Sequence, residues 1–277
     1  MIYFCADDYG ISQGANAHIE ALAGKGLNKV SVLPNGNFGD LSRLQGVTLS
    51  LHLNLVEGKC LSDPKEIPLL ATEDGMFRHS FVGLLKLSLL KPKALQTQLA
   101  VELRSQLMHW KAQIGDAPVC IDSHQHTHAI PLILRTLLAV LQEEGIRPTG
   151  IRIPWEPVRL YLGTPGIWCS CRPVGAIKQQ LLNFLLIGGR RKLKKAGLPP
   201  ACVMGIMFSG RMAGKHVETL LPKYEAFAAK RGMDAELVFH PGYVEQGETF
   251  MEGVRPDFCK FYFSPWRKKE FETVNNL

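Results

Sequence analysis

The chain contains no run of about 18 uninterrupted apolar residues, which excludes an ordinary membrane-spanning helix. Its two most apolar windows, FVGLLKLSLL at 81–90 and LLNFLLIGG at 181–189, are about half that length and read as buried helices or flaps. Paired cysteines are missing too. The seven cysteines are odd in number and form no CxxC spacing, and Cys169-Ser170-Cys171 is too tight for the usual zinc loop, so reduced, mostly buried thiols are expected. The first residues carry neither a basic flank nor an apolar stretch with a small-residue cleavage site, and the expectation is a cytoplasmic protein. Acidic residues are in the minority, 25 Asp and Glu against 32 Lys and Arg, for a formal charge of +7. Much of the excess sits in GGRRKLKKAG at 188–197. No aromatic residue interleaves these cations and no nucleic-acid motif accompanies them, so nucleic acid is not expected as a partner. A solvated helix face, an anionic lipid surface or a phosphorylated substrate remains for that segment.

Hydrophobic residues make up 46% of the 277, and the 26 glycines and 17 prolines are scattered, so the chain has the material for a sizeable core. No internal repeat or linker divides it. A single domain over 1–277 is expected, with a loop-rich insertion at about 57–93 where LSDPKEIPLL and EDGMF carry turn signals. Strand patterns at 2–6, 29–33, 47–55, 119–122, 150–153, 203–207 and 235–240 alternate with helical patterns at 13–24, 94–115, 130–145, 176–196 and 217–232. The polar residues alternating along 47–55 are expected to face outward. Repeated βα units predict an α/β fold, a (β/α) barrel-like architecture of mostly parallel strands, an irregular or incomplete TIM-type barrel.

The stretch IYFCADDYGIS, Ile2 to Ser12, poses a physical question: an apolar strand runs into two adjacent carboxylates that repel each other when both are ionised. A metal ion, a shared proton, a helix N-terminus or plain solvent could offset that repulsion. In a βα barrel, chemistry gathers at the carboxyl ends of the strands. Four such ends carry what a metal hydrolase needs: Asp7 and Asp8, His52 in SLHLNL, Asp122, His124, His126 and His128 in CIDSHQHTH, and His240 in LVFHPGY. On an extended chain His124, His126 and His128 share one face with Asp122, so at least one imidazole could ligate a metal with a carboxylate behind it.

These pieces resemble the YdjC-like carbohydrate deacetylases. ADDYGIS matches that family's ADDFG(L/I)S, HLNLVEG its HLxL(T)xG, DSHQHTH its DSHxHxH and FHPGY its late HP motif, in the family's order from Ala6 to Tyr243. SGRMAG and IRIPWEP further resemble its hopanoid-biosynthesis branch. Tyr9 stands for the usual Phe and Val56 for a frequent Thr. The resemblance implies a metal-dependent hydrolase on a barrel-like fold that removes an N-acetyl group from an amino sugar, oligosaccharide or lipid-linked, and releases acetate. Carried over position by position, it implies Asp8, His52 and His124 as metal ligands, Asp7 as the base and His240 as the general acid, with Asp122, His126 and His128 around the ligands. One divalent ion is implied, zinc or magnesium.

Asn54, Arg152, Trp155, Glu156 and Arg211, with Tyr161 and Trp168, are further candidates for holding the sugar. Two other readings stand beside this one: a metallophosphoesterase acting on a sugar phosphate, which would usually call for more carboxylates, and a non-catalytic glycan- or lipid-binding protein. The apolar flank at 181–187 and the cations at 190–195 leave weak peripheral membrane contact open, and a homo-oligomer is compatible with the sequence.

Overall fold

The computed structural model describes residues 1–277 apart from Phe38 and Cys169 and the side chains of Pro165 and Trp168. Cys169 of the CSC run and the Trp168 ring therefore lie outside the described residues. Seven strands, β1 (Ile2–Tyr9), β2 (Lys29–Val32), β3 (Thr48–Leu53), β4 (Cys120–Ser123), β5 (Gly150–Ile151), β6 (Ala201–Met204) and β7 (Asp234–Phe239), form one sheet in the order β5-β4-β3-β2-β1-β7-β6. Every pairing is parallel. The sheet curls into an incomplete barrel whose edges are β5 and β6. The Val203 N–H on β6 donates to the Trp155 carbonyl just beyond β5 at 2.9 Å and spans the gap.

The helices are α1 (Gln13–Leu22), α2 (Phe81–Leu90), α3 (Pro92–Ile114), α4 (Pro131–Glu143), α5 (Pro165–Trp168), α6 (Pro173–Lys195), α7 (Lys215–Arg231), α8 (Pro256–Tyr262) and α9 (Trp266–Asn275). The longer ones form for legible reasons. Ser12 caps α1 by accepting from the Ala15 N–H, proline opens α3, α4 and α6, and Leu95, Leu99, Leu103 and Leu107 give α3 a buried stripe at i, i+4 spacing. FVGLLKLSLL is a helix, but only Leu84 of it is fully buried. The insertion expected to be loop-rich thus ends in α2 and is pinned by Glu102 of α3, which accepts from the Leu61 and Ser62 N–H groups. Nothing in the sequence pattern announced α8, which is only seven residues long, or α9, which is mostly polar.

The alternation read in β3 is present, but its sense is inverted. Leu51 and Leu53 face the helices and join the main apolar layer, whereas Ser50 and His52 point into the barrel, where both reach Asp122. The same holds around the sheet. Cys5 and Asp7 of β1, Lys29 and Ser31 of β2, Asp122 of β4, Arg152 after β5 and Glu236 of β7 fill the interior. Lys29 Nζ reaches Glu236 at 3.0 Å, Ser31 Oγ donates to Asp122 at 2.7 Å, and Arg152 binds both oxygens of Asp7 at 2.7 Å while also reaching Glu236 at 2.6 Å. A barrel filled with charge stands only if each group keeps its partner, because an unpaired buried ion is costly.

Arg152→Met should accordingly cost about 3–5 kcal/mol in a urea titration, since it strands three carboxylates, while Arg191→Met on the exposed face of α6 should change stability by no more than about 0.5 kcal/mol. Similar small losses for both variants would remove the interior network from the account of stability.

Candidate metal centre

The fold resolves the paired carboxylates. Between Ala6 and Tyr9 the pairing of β1 with β2 slips, and Asp8 takes a left-handed backbone at φ 69°. In a regular strand, neighbours would point to opposite faces. The irregularity turns both acids inward instead: Asp7 down onto Arg152, Asp8 up toward the mouth of the barrel.

At that mouth Asp8 Oδ1 lies 2.7 Å from His124 Nδ1 and 3.2 Å from His52 Nε2. One donor atom from each of the three residues falls within 4.8 Å of the others. The far nitrogen of His52, Nδ1, meets Asp122 Oδ1 at 2.5 Å, which fixes the ring and directs Nε2 into the cluster. Asp122 is held in turn by Ser31 and Ser50. His240 projects from the end of β7 with Nε2 3.8 Å from Asp8 Oδ2, and its Nδ1 has no hydrogen-bond partner among the described residues. His124 Nε2 is likewise buried without one.

Charge says what would complete this arrangement. Asp7, Asp8, Asp122 and Glu236 are buried together; among the described residues Lys29 and Arg152 are the fixed cations that pair with them, and Lys178 adds positive charge that acts on Asp7 and Asp8. Negative charge is left over, and a divalent cation between Asp8, His52 and His124 would offset it. Two other clusters of potential donors, Cys5 with Asp122 and Glu236, and Asp7 with His52 and Asp122, are already threaded by Arg152. The residues present fit one cation of the kind that imidazole and carboxylate share.

The proton affinities follow the same field. Burial alone would raise Asp7, Asp8 and Asp122, but Arg152 and His52 hold Asp7 and Asp122 down, and His124 and His52 hold Asp8 well down. Burial would depress His52, yet Asp7 and Asp122 outweigh it and push the ring up to about 10. Without the ion, a proton on His52 supplies part of the missing positive charge. His240 is lowered by burial, against the pull of Asp8 and Asp7.

The histidine run does not stay extended. β4 ends at Ser123, and Gln125 and His126 adopt left-handed backbones at φ 53° and 61°. The three imidazoles therefore part company: His124 goes to Asp8, and His128 bonds to Ser123 Oγ and the Arg152 carbonyl, its basicity pushed down by burial to about 4. His126 is buried, its Nδ1 unpartnered among the described residues.

Most residues expected to hold sugar serve the scaffold instead. Arg152 is enclosed by carboxylates. Glu156 is fully buried and accepts from the Tyr161 hydroxyl and the Gly205 and Met207 N–H groups. Asn54 spends its amide on the turn after β3, through Asn35, Val56 and Glu57. The Trp155 ring lies beneath the Arg190 guanidinium at 3.7 Å. Arg211 lines a cavity of about 270 Å3, which it shares with Arg172, Lys178, Ser170, Ser209 and Phe208.

Lys178 was not legible as a site residue, since it reads as one polar position in a helix. Burial lowers it while Asp7, Asp8 and Glu156 pull it up. Lys29 and Glu236 were detectable in principle, as lone charges inside otherwise apolar strands.

An incomplete barrel of parallel strands with one compact histidine–carboxylate cluster at their carboxyl ends defines the class. The chain belongs to the YdjC-like protein family, which matches it over residues 1–276. A carbohydrate deacetylase of Xenopus laevis is 30% identical over 276 residues, covering 91% of this chain and 84% of that protein. One of Danio rerio is 31% identical over 156 residues, 54% of this chain, and the aligned part spans about half (49%) of that relative. The fold is shared with a crystal structure titled a cellobiose-phosphate cleavage protein from Enterococcus faecalis, at TM-score 0.60 and 17% identity over 99% of this chain and 94% of that one.

Because a cation must displace the His52 proton, its affinity should rise with pH, by up to about tenfold per unit, as long as the pH stays below about 10. Calorimetric titration of zinc at several pH values checks this, and His52→Ala or His124→Ala should bind no stoichiometric ion while keeping the wild-type far-UV spectrum.

Proposed function

We propose that this protein is a metal-dependent hydrolase that removes the N-acetyl group of an amino sugar, with Asp8, His52 and His124 holding the ion, Asp7 as base and His240 as acid. The observation that carries the reading is the convergence of these five side chains from the ends of β1, β3, β4 and β7 on one point, in a family whose relatives bear the name carbohydrate deacetylase. A bound divalent ion supplies Lewis acidity at an otherwise unreactive amide and lowers the pKa of water. Zinc suits two imidazoles and a carboxylate, and magnesium is the alternative.

The chain's own groups divide the remaining work. Asp7 is gripped at both oxygens by Arg152, so its orientation is fixed before substrate arrives. Its depressed proton affinity makes it a transient base that passes its proton onward. His240, 15% exposed at its side chain, faces the opening and can deliver a proton to the departing amine. Its backbone is clamped from α9 by Glu270, which accepts from the His240 N–H at 2.6 Å, and by Arg267, which donates to its carbonyl at 2.9 Å. The cavity bearing Arg211 and Lys178 is the place for the sugar. A phosphoesterase of the two-metal kind has less support, because the donors a second ion would need are engaged by Arg152.

The surface favours a substrate presented at a lipid boundary. No helix is long and apolar enough to cross a membrane. Yet Val174, Ile177, Phe184 and Ile187 of α6 and Val82, Leu89 and Leu90 of α2 are exposed, and both helices pack on the histidine turn beside the site. Of the 181–187 flank, Leu182 and Leu186 are buried, so the outer stripe runs from Val174 and Ile177 through Phe184 and Ile187. α6 has no acidic residue, and Arg191, Lys192, Lys194 and Lys195 are exposed at its end. Arg190 is half-buried over Trp155. Four such cations contribute on the order of 1 kcal/mol each at an anionic surface.

Asp7→Asn should keep the metal and the KM but lose about two to four orders of magnitude in turnover, and His240→Ala should lose less. Acetate release from N-acetylated chitooligosaccharides reads both, and near wild-type turnover in Asp7→Asn would sink the assignment. Sedimentation with vesicles should show salt-sensitive binding to anionic but not neutral lipid, weakened by Phe184→Ser with Ile187→Ser. Equal, negligible pelleting with both lipids would leave a soluble oligosaccharide as the substrate.

A further inference from the structure

We infer that Tyr262 is a positioning residue of the metal centre: its hydroxyl secures one oxygen of Asp8 and so reserves the other for the cation. Tyr262 ends α8, 254 residues from Asp8, and is buried, with its hydroxyl donating to Asp8 Oδ2 at 2.7 Å. It is the one hydrogen-bond donor that reaches this oxygen among the described residues, since His240 Nε2 stands off at 3.8 Å. Asp8 needs such a tether. Its backbone is left-handed and sits where the ladder to β2 has slipped, so the strand does not by itself fix where the carboxylate points.

With Oδ2 held, Oδ1 is the oxygen that faces His52 and His124. With Oδ2 free, the carboxylate could swing or present both oxygens, and the geometry of the three donors would no longer be preset. The ring is placed for this task by a small apolar cluster apart from the main core, in which Phe250, Phe258 and Phe261 surround it at centroid distances of 5.5 to 6.0 Å. α8 is therefore part of the centre, although it contributes no donor to the cluster.

The inference rests on the proposed metal site, and the experiment separates the two. Wild type, Tyr262→Phe and Phe250→Leu, each stripped with chelator, are titrated calorimetrically with zinc and with manganese, and thermal unfolding of the stripped proteins reports on the fold. Tyr262→Phe should bind both ions about 10- to 100-fold more weakly, the range for loss of a group that orients a ligand. Phe250→Leu, which loosens the ring but keeps the hydroxyl, should lose distinctly less affinity than Tyr262→Phe. At saturating metal, the loss of activity in Tyr262→Phe should fall on kcat and leave KM in place. Unchanged affinity in Tyr262→Phe, or an equal loss in Phe250→Leu, overturns the inference. A wild type that takes up no ion overturns the site reading and the inference with it.

Discussion

The guanidinium of Arg152 is what allows this barrel to exist. It binds both oxygens of Asp7, reaches Glu236 and lies 3.2 Å from Asp122, with no side-chain exposure. Removing it would leave acids facing one another in a medium of low polarity, where repulsion is weakly screened. Lys29 supports it from the other end of the interior through Glu236. Even so, Lys29 and Arg152, with Lys178 acting on Asp7 and Asp8, do not match four buried carboxylates. The interior is built with a deficit of positive charge, and among the described residues no Lys or Arg pairs with Asp8, whose ion-pair partners are all histidines. That position is also where the strands end and substrate can approach. On the proposed reading, stability and cation affinity are two consequences of one charge distribution.

The elements around this interior divide into those that carry donors and those that aim them. β1, β3 and β4 bring Asp8, His52 and His124 together, and Asp122 orients His52 from behind. The C-terminal helices close the site from above: α8 places aromatic rings against His124 and His240, at 4.6 and 5.2 Å, and α9 clamps the His240 backbone. Buried polar networks of this kind are rigid when every group is satisfied. Among the described residues the local exceptions include unpartnered ring nitrogens of His124, His126 and His240, together with Thr127 Oγ1 and Arg267 Nε, and the three histidines lie at or beside the mouth.

Much of this was legible in the sequence, and the failures have physical causes. The seven strands and their parallel order followed from apolar runs spaced by amphipathic helices. Period-two alternation in β3 was equally visible, but alternation does not say which face is inside. The usual rule that polar residues face water fails in a barrel whose interior is ionic, so Ser50 and His52 were assigned to the wrong side. Three histidines at alternate positions suggested one extended face, and the left-handed residues Gln125 and His126 scattered them. Arg152, Glu156 and Asn54 were chosen as polar residues near the loops, yet Arg152 and Glu156 are engaged by partners distant in sequence and the Asn54 side chain by the turn that follows it. Tyr262 and Lys178 left no local signal, because their meaning arises only when the chain has closed on itself.

The central claim, that the charge deficit is filled by a divalent ion which makes the site a deacetylase, is tested most directly by acetate release from an N-acetylglucosamine oligosaccharide before and after metal removal. The account predicts that stripped protein is inactive and that zinc or another divalent ion restores acetate and an equal amount of free amine. Undiminished acetate release after complete stripping, or release of phosphate from a sugar phosphate in place of acetate, would contradict it.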